Sequence, residues 1–165
     1  MSSPMPAQRL KVLVVDDHID LRRLMRLTLE IEGHEVFEAG TGVEALEVAA
    51  REVPDVVALD IMMPGELQGL EVCRRLRADP SLAGIHVILV SARQQQTDIE
   101  AGKAAGADYY LGKPFSPRKL AELVEASGPR SHPDVAVRRA TEQAIAAWSG
   151  VYDLRELRQR MKDGG

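Results

Sequence analysis

The chain has a single cysteine, Cys73, among its 165 residues. That excludes an internal disulfide framework and a zinc cluster built on cysteines. Aromatic residues are scarce, with two Phe, three Tyr and one Trp, so a protein that stacks bases on aromatic platforms is not expected. Positive charge is not in excess: 25 acids face 21 bases, for a net charge of −4. The chain as a whole is therefore no polyanion binder. No apolar run approaches the roughly 18 residues of a membrane span. Residues 1–11 (MSSPMPAQRLK) offer no apolar signal core. What is present is an ordinary composition, 45% hydrophobic and 28% charged, in a chain long enough to bury a core. The length allows one domain, or one domain with an appendage. The expected class is a reduced, soluble, cytoplasmic protein.

Hydrophobic periodicity divides the chain into alternating units. KVLVV at 11–15 predicts a buried strand, ended by Asp16 and Asp17. Leu21, Leu24, Met25, Leu27 and Leu29 recur at helical spacing over 19–32, with Gly33 as the stop. Residues 35–39 alternate like a strand. Thr41 and Glu44 form a capping-box pattern that opens a helix to about residue 52. A third strand is predicted over 55–61, a helix over 69–77, a fourth strand over 86–90 and a weak Ala/Gly-rich helix over 97–105. A short fifth strand follows over 108–111. Ser116 and Pro117 then supply an N-cap and a first-turn proline for a helix over 118–126. Five alternations of strand and helix imply an α/β fold, a doubly wound parallel sheet with helices on both faces. Residues 127–133 (SGPRSHP) read as a linker. A helix is predicted over 134–148, with Val137, Ala140, Ala144, Ile145 and Trp148 on one side. Asp153 is placed to cap a last short helix carrying Leu154, Leu157 and Met161.

In an open parallel sheet, ligands sit beyond the carboxyl ends of the strands. Strand one ends in Asp16 and Asp17, strand three in Asp60 and strand four in Ser91; Lys113 follows strand five. Three carboxylates on one edge repel unless a cation compensates them. A hard divalent ion with oxygen ligands does so, and Mg²⁺ suits a site that keeps waters and a phosphate oxygen. Lys113 suits a phosphoryl group as a mobile point charge, and the Ser91 hydroxyl can donate to a phosphoryl oxygen. A carboxylate is itself a competent nucleophile toward phosphorus, giving an acyl phosphate. The reading is that Asp60 accepts a phosphoryl group, Asp16 and Asp17 hold the metal, and Ser91 and Lys113 bind the phosphate.

VLVVDDH (12–18), ALDIMMPG (58–65), LVSA (89–92) and AGADYYLGKPF (105–115) stand in this order and spacing. With them the chain, from about Arg9 to Ala126, resembles the receiver (CheY-like) domain of bacterial two-component response regulators. The resemblance implies a five-stranded flavodoxin-like sheet in the order 2-1-3-4-5 and a receiver domain over 9–127. Residues 128–165 are then a linker and short helical tail without a recognisable output domain. It also implies phosphotransfer to Asp60 from a sensor histidine kinase or a histidine phosphotransfer protein, and Mg²⁺ dependence. The backbone carbonyl of Met62 would be the third protein ligand of the metal. No enzymatic activity is implied beyond the domain's own phosphorylation and dephosphorylation. A switch is implied as well: the Ser91 hydroxyl turns to the phosphate, Tyr110 rotates inward, and the helix 4–strand 5–helix 5 face changes shape. A homodimer through that face is a further candidate arrangement, and no membrane partner is implied.

The sequence departs from the family pattern at a few positions. The glycine after the Met-Pro turn, Gly69, falls nine residues past Asp60 where the family commonly has eight. Met62 and Arg93, two past Asp60 and two past Ser91, stand near the path of a hydrolytic water, so slow autodephosphorylation is expected.

Plainer readings compete for some residues. Asp20 is expected to cap the first helix. Arg74, Arg75 and Arg77 are expected to form a solvated helix face, Met62 and Met63 to pack at their turn, and Cys73 to be core. The four histidines show no metal-ligand spacing. The 37 residues after Gly128 carry seven bases and five acids. They give two readings: a contact-signalling receiver whose tail packs through Ile145, Trp148, Leu154 and Leu157, or a transcription regulator whose basic tail binds DNA. With no recognition-helix signal present, DNA is not the expected partner. A phosphatase with an aspartate nucleophile would want a second acid where Met62 stands.

Overall fold

The computed structural model describes residues 8–130 and 150–163. Strands β1 (Lys11–Val15), β2 (Glu35–Ala39), β3 (Val56–Asp60), β4 (His86–Ser91) and β5 (Tyr109–Gly112) alternate with helices α1 (Ile19–Ile31), α2 (Gly42–Glu52), α3 (Gly69–Ala78), α4 (Gln96–Ala105) and α5 (Pro117–Ser127). A sixth strand, β6 (Val151–Asp153), and a helix, α6 (Leu154–Asp163), complete the described chain. The sheet order is β2-β1-β3-β4-β5-β6. The first five strands are parallel, as expected; β6 joins antiparallel to β5. The predicted helix over 134–148 lies outside the described residues.

Alternation along each strand sends side chains to two separate cores. Leu13, Val15, Val57, Leu59, Val87, Leu89 and Tyr110 meet α2, α3 and α4 on one face. Val12, Val14, Val56, Ala58, Ile88, Val90, Tyr109 and Leu111 meet α1 and α5 on the other. Because both faces are covered, β3 and β4 are buried at every residue. That is why they read as continuous apolar runs. Caps fix where helices begin. Thr41 Oγ1 accepts the Glu44 amide at 3.1 Å, and Ser116 Oγ accepts the Lys119 amide at 3.2 Å. Asp153 Oδ1 accepts the amides of Arg155 and Glu156 at 3.0 and 3.2 Å, which starts α6 as expected.

Two expectations need correction. Asp20 does not cap α1: the N-cap is His18, and Asp20 sits in the first turn, where its charge still suits the helix dipole. Arg74 and Arg75 are solvated and pair with Glu71, but Arg77 is not. Its guanidinium donates to the carbonyls of Gly106 at 2.8 Å, Ala83 at 2.9 Å and Ile85 at 2.5 Å, and to Asp108 Oδ2 at 2.8 Å. It ties the end of α3 to the chain entering β4 and β5. Asp108 also accepts the Val87 amide at 2.8 Å. Burial pushes the Asp108 carboxyl up, but the His86 and Arg77 side chains and the Val87 amide draw it further down, to about 2. Cys73 is core as expected, and burial raises its thiol to about 11.

Removing one partner of this half-sheltered pair leaves the other uncompensated. Asp108→Ala is expected to cost roughly 3–5 kcal/mol in urea unfolding, against within about 0.5 kcal/mol for Arg74→Ala. The Asp108 contribution is fully present above its ordinary value of 3.8 and is lost as pH falls toward about 2.

Candidate functional site

Parallel register brings the strand ends level. Val15 pairs with Leu59, Asp60 with Val90, and Ser91 with Gly112. Asp16 and Asp17 therefore leave β1 beside Asp60 at the end of β3, and Lys113 leaves β5 one strand beyond Ser91. Backbone bonds hold these exits in place: Asp16 N donates to the Ala39 carbonyl at 3.2 Å, Ile61 N to Val90 at 3.0 Å, and Lys113 N to Ser91 at 2.8 Å. Arg22 on α1 donates to the Asp16 carbonyl at 2.9 Å while pairing with Glu38 at 2.9 Å.

The side chains converge. Lys113 Nζ donates to Asp16 Oδ2 at 3.3 Å and to Asp60 Oδ2 at 3.2 Å. Asp16 and Asp60 are buried, at 1% and 4% exposure. The other Asp60 oxygen accepts the Met62 amide at 3.1 Å, and the other Asp16 oxygen accepts the His18 amide at 2.8 Å. Burial raises the Asp60 carboxyl above its ordinary value; Asp16 adds to this, and Lys113 and the Met62 amide only partly oppose it. Burial depresses the Lys113 ammonium, but facing Asp60 and Asp16 more than reverses that, so its net shift is upward.

Asp17 Oδ1 is buried and accepts no hydrogen bond. Asp16, Asp17, His18 and Asp60 each bring a ligand atom into one group, all within 4.8 Å of one another. A buried carboxylate oxygen with no donor, next to two more carboxylates, fits a divalent cation, and the mostly oxygen donor set favours a hard one. His18 is the member that sequence reasoning passed over. Its Nδ1 lies 3.2 Å from Asp16 and 3.4 Å from Asp17. The available signal was its place directly after the Asp pair.

Ser91 and Tyr110 lie on the opposite side of Asp60. Both are buried. They line a cavity of about 230 Å³ together with Met62, Gln68, Arg93 and Asp98. Ser91 Oγ accepts the Arg93 amide at 3.1 Å, and the Tyr110 hydroxyl donates to the Arg93 carbonyl at 2.5 Å. Of the Met pair only Met63 packs inside; the Met62 side chain is half exposed.

The longer loop after Asp60 is absorbed locally. Gly65 takes a φ of 99°, a left-handed value that suits glycine. The Gln68 amide folds back, accepting from Met63 N at 3.1 Å and donating to the carbonyls of Met63 at 2.7 Å and Gly65 at 3.1 Å. Gly69 still lies against the backbone of Asp60: a Cβ there would stand 2.3 Å from the Asp60 carbonyl oxygen.

The family model for the response regulator receiver domain matches residues 12–125. The response regulator MprA of Mycobacterium leprae (strain TN) is 42% identical over 127 residues, 77% of this chain and 54% of that protein. The alkaline phosphatase synthesis transcriptional regulatory protein PhoP of Bacillus subtilis (strain 168) is 40% identical over 70% of this chain and 47% of its own length. The chain thus spans about half the length of these curated relatives. The solved chemotaxis protein CheY4 of Vibrio cholerae superposes with a TM-score of 0.69 at 31% identity, covering 73% of this chain and all of that one.

Gly69 is the tightest backbone approach at the site. Gly69→Ala is expected to destabilise the protein by about 1–3 kcal/mol, because α3 must move off Asp60. Chemical denaturation checks this, and unchanged stability would show that the approach is relaxed in solution.

Proposed function

The chain belongs to the response regulator receiver domain family, and from that premise we propose that it is a phosphorylation-controlled signalling module whose acceptor is Asp60. What carries the reading is the Lys113 ammonium held between Asp16 and Asp60, beside the buried Asp17 oxygen that accepts no hydrogen bond. Phosphorus passes to Asp60 from the imidazole of a phosphorylated histidine kinase or histidine phosphotransfer protein. An Asp60 carboxylate oxygen forms the new P–O bond as the P–N bond of the donor breaks, and the imidazole takes up the leaving electron pair. Mg²⁺ would be held by Asp16, Asp17, Asp60 and the Met62 backbone carbonyl. When bound, it supplies positive charge to the phosphoryl oxygens.

The chain's own residues do the rest. Lys113 moves its contact from the carboxylates to a phosphoryl oxygen and offsets the charge arriving there. Ser91 Oγ accepts the Arg93 amide and has its own proton to donate to the phosphate. Tyr110 follows Ser91 as the switch residue. The module catalyses only its own phosphorylation and dephosphorylation and signals through protein contacts. A cytoplasmic location fits this role; no helix among the described residues is long and apolar enough to cross a membrane.

A DNA-binding tail is the second reading, since one of the relatives carries a transcriptional-regulator name. Against it, Arg155 of the tail lies over the Tyr109 ring and Arg158 donates to the Lys103 carbonyl, so both are engaged within the chain. A salt-dependent mobility shift that requires the tail arginines would favour it.

Incubation with acetyl phosphate and Mg²⁺ is expected to add one phosphoryl group by mass, and Asp60→Asn to abolish it. The adduct is expected to decay slowly, because Met62 and Arg93 crowd the approach of water, and to decay several-fold faster in Arg93→Ala. An adduct that survives in Asp60→Asn overturns the assignment.

A further inference from the structure

A doubly wound sheet that stops at β5 leaves that strand's outer N–H and C=O groups as an open edge. Here residues 150–163 take it. Tyr109, Tyr110 and Leu111 pair with Asp153, Tyr152 and Val151. Gly112 N donates to the Gly150 carbonyl at 2.9 Å, and Leu154 N to the Asp108 carbonyl at 2.9 Å. The Leu154 side chain is fully buried in the core shared by α3 and α4. Arg158 reaches the Lys103 carbonyl of α4 at 3.0 Å, and the Arg155 guanidinium lies 4.5 Å from the Tyr109 ring centre. The segment is thus fixed both to β5 and to α4. The surface considered for a homodimer is occupied at its strand edge by the chain itself.

At the middle of this contact the register sets Tyr152 against Tyr110. Their ring centres are 6.2 Å apart at an interplanar angle of 79°, an edge-to-face geometry that favours aromatic pairs. On its other side the Tyr110 ring abuts Gly102 of α4, where a Cβ would stand 3.1 Å away. Its hydroxyl is bound to the Arg93 carbonyl, two residues past Ser91. Tyr110 therefore joins the loop beside Ser91 to the docked segment, and it cannot turn without disturbing the packing of Tyr152.

We propose that residues 150–163 are the intrachain occupant of the α4–β5 edge, and that their hold is coupled through the Tyr152–Tyr110 contact to phosphorylation of Asp60. The inference rests on Asp60 being the acceptor. The docked segment and the buried Tyr110 ring support each other. The Tyr110 ring already stands in the inward position, fully buried with Tyr152 packed against it, so a phosphoryl group that draws Ser91 toward itself and holds the ring there tightens the segment, and the docked segment in turn favours the phosphorylated state. A second copy that needs this edge must displace the segment, so phosphorylation opposes dimerisation there.

The test is amide hydrogen exchange on the full chain in Mg²⁺, with and without acetyl phosphate, with intact mass read on the same samples. Exchange over 151–154 is expected to slow several-fold once the adduct forms. Tyr152→Ala is expected to take the adduct but lose the slowing, and Tyr152→Phe to retain it. An adduct with unchanged or faster exchange over 151–154 overturns the coupling and leaves Asp60 as acceptor. Slowing that persists in Tyr152→Ala overturns the ring contact as its route. Absence of any adduct removes the premise, and the coupling with it.

Discussion

The ammonium of Lys113 bridges two carboxylates that would otherwise repel each other in a buried place. Asp16 comes from the end of β1, Asp60 from β3 and Lys113 from beyond β5. Their meeting therefore requires the parallel register of the central strands and helices packed on both faces. Every level of the fold serves that requirement. The apolar runs bury β3 and β4, the crossover helices make the strands parallel, and parallel strands put all their carboxyl ends on one edge. Burial then gives the charges their strength, because the same groups in water would be hydrated and nearly indifferent to one another.

The pair alone does not balance the pocket. Asp17 adds a third carboxylate, with an oxygen that accepts no hydrogen bond. A pocket in this condition responds to cations and to whatever anion they bring with them, which is the chemistry a phosphoacceptor needs. The same edge of the molecule carries the contacts through which we propose the signal leaves. Ser91 sits at the end of β4, the Arg93 carbonyl two residues on holds the Tyr110 hydroxyl, and Tyr110 touches Tyr152 of β6. Chemistry at Asp60 and the outermost strand are separated by a few packed side chains.

Much of this was legible in the residues. Val12–Val15 followed by two aspartates, and Val56–Leu59 followed by Asp60, state both the strand and the charge at its end. The rule for ligands in open sheets then gathers the site from the strand ends alone. What stayed hidden depends on contacts between distant segments. Val151–Asp153 is too short to announce a strand, and only the open edge of β5 makes it one. Arg77 looks like its neighbours Arg74 and Arg75 until α3 delivers it to Asp108. His18 looks like a stray histidine until the turn after β1 swings its ring over the acidic pair. The extra residue after Asp60 was visible in the spacing, but its accommodation by Gly65 and Gln68 was not, because side-chain bonds to a loop backbone leave no periodic signal.

In the proposed reading, Lys113 and a divalent metal share the task of balancing one acidic pocket. Thermal unfolding of the wild type and of Lys113→Met, with and without millimolar Mg²⁺, measures this most directly, since a ligand of the folded state raises the midpoint. Lys113→Met is expected to melt lower than the wild type without Mg²⁺ and to gain more from it. A midpoint that Mg²⁺ leaves unmoved in both proteins, or raises equally in both, would contradict the account.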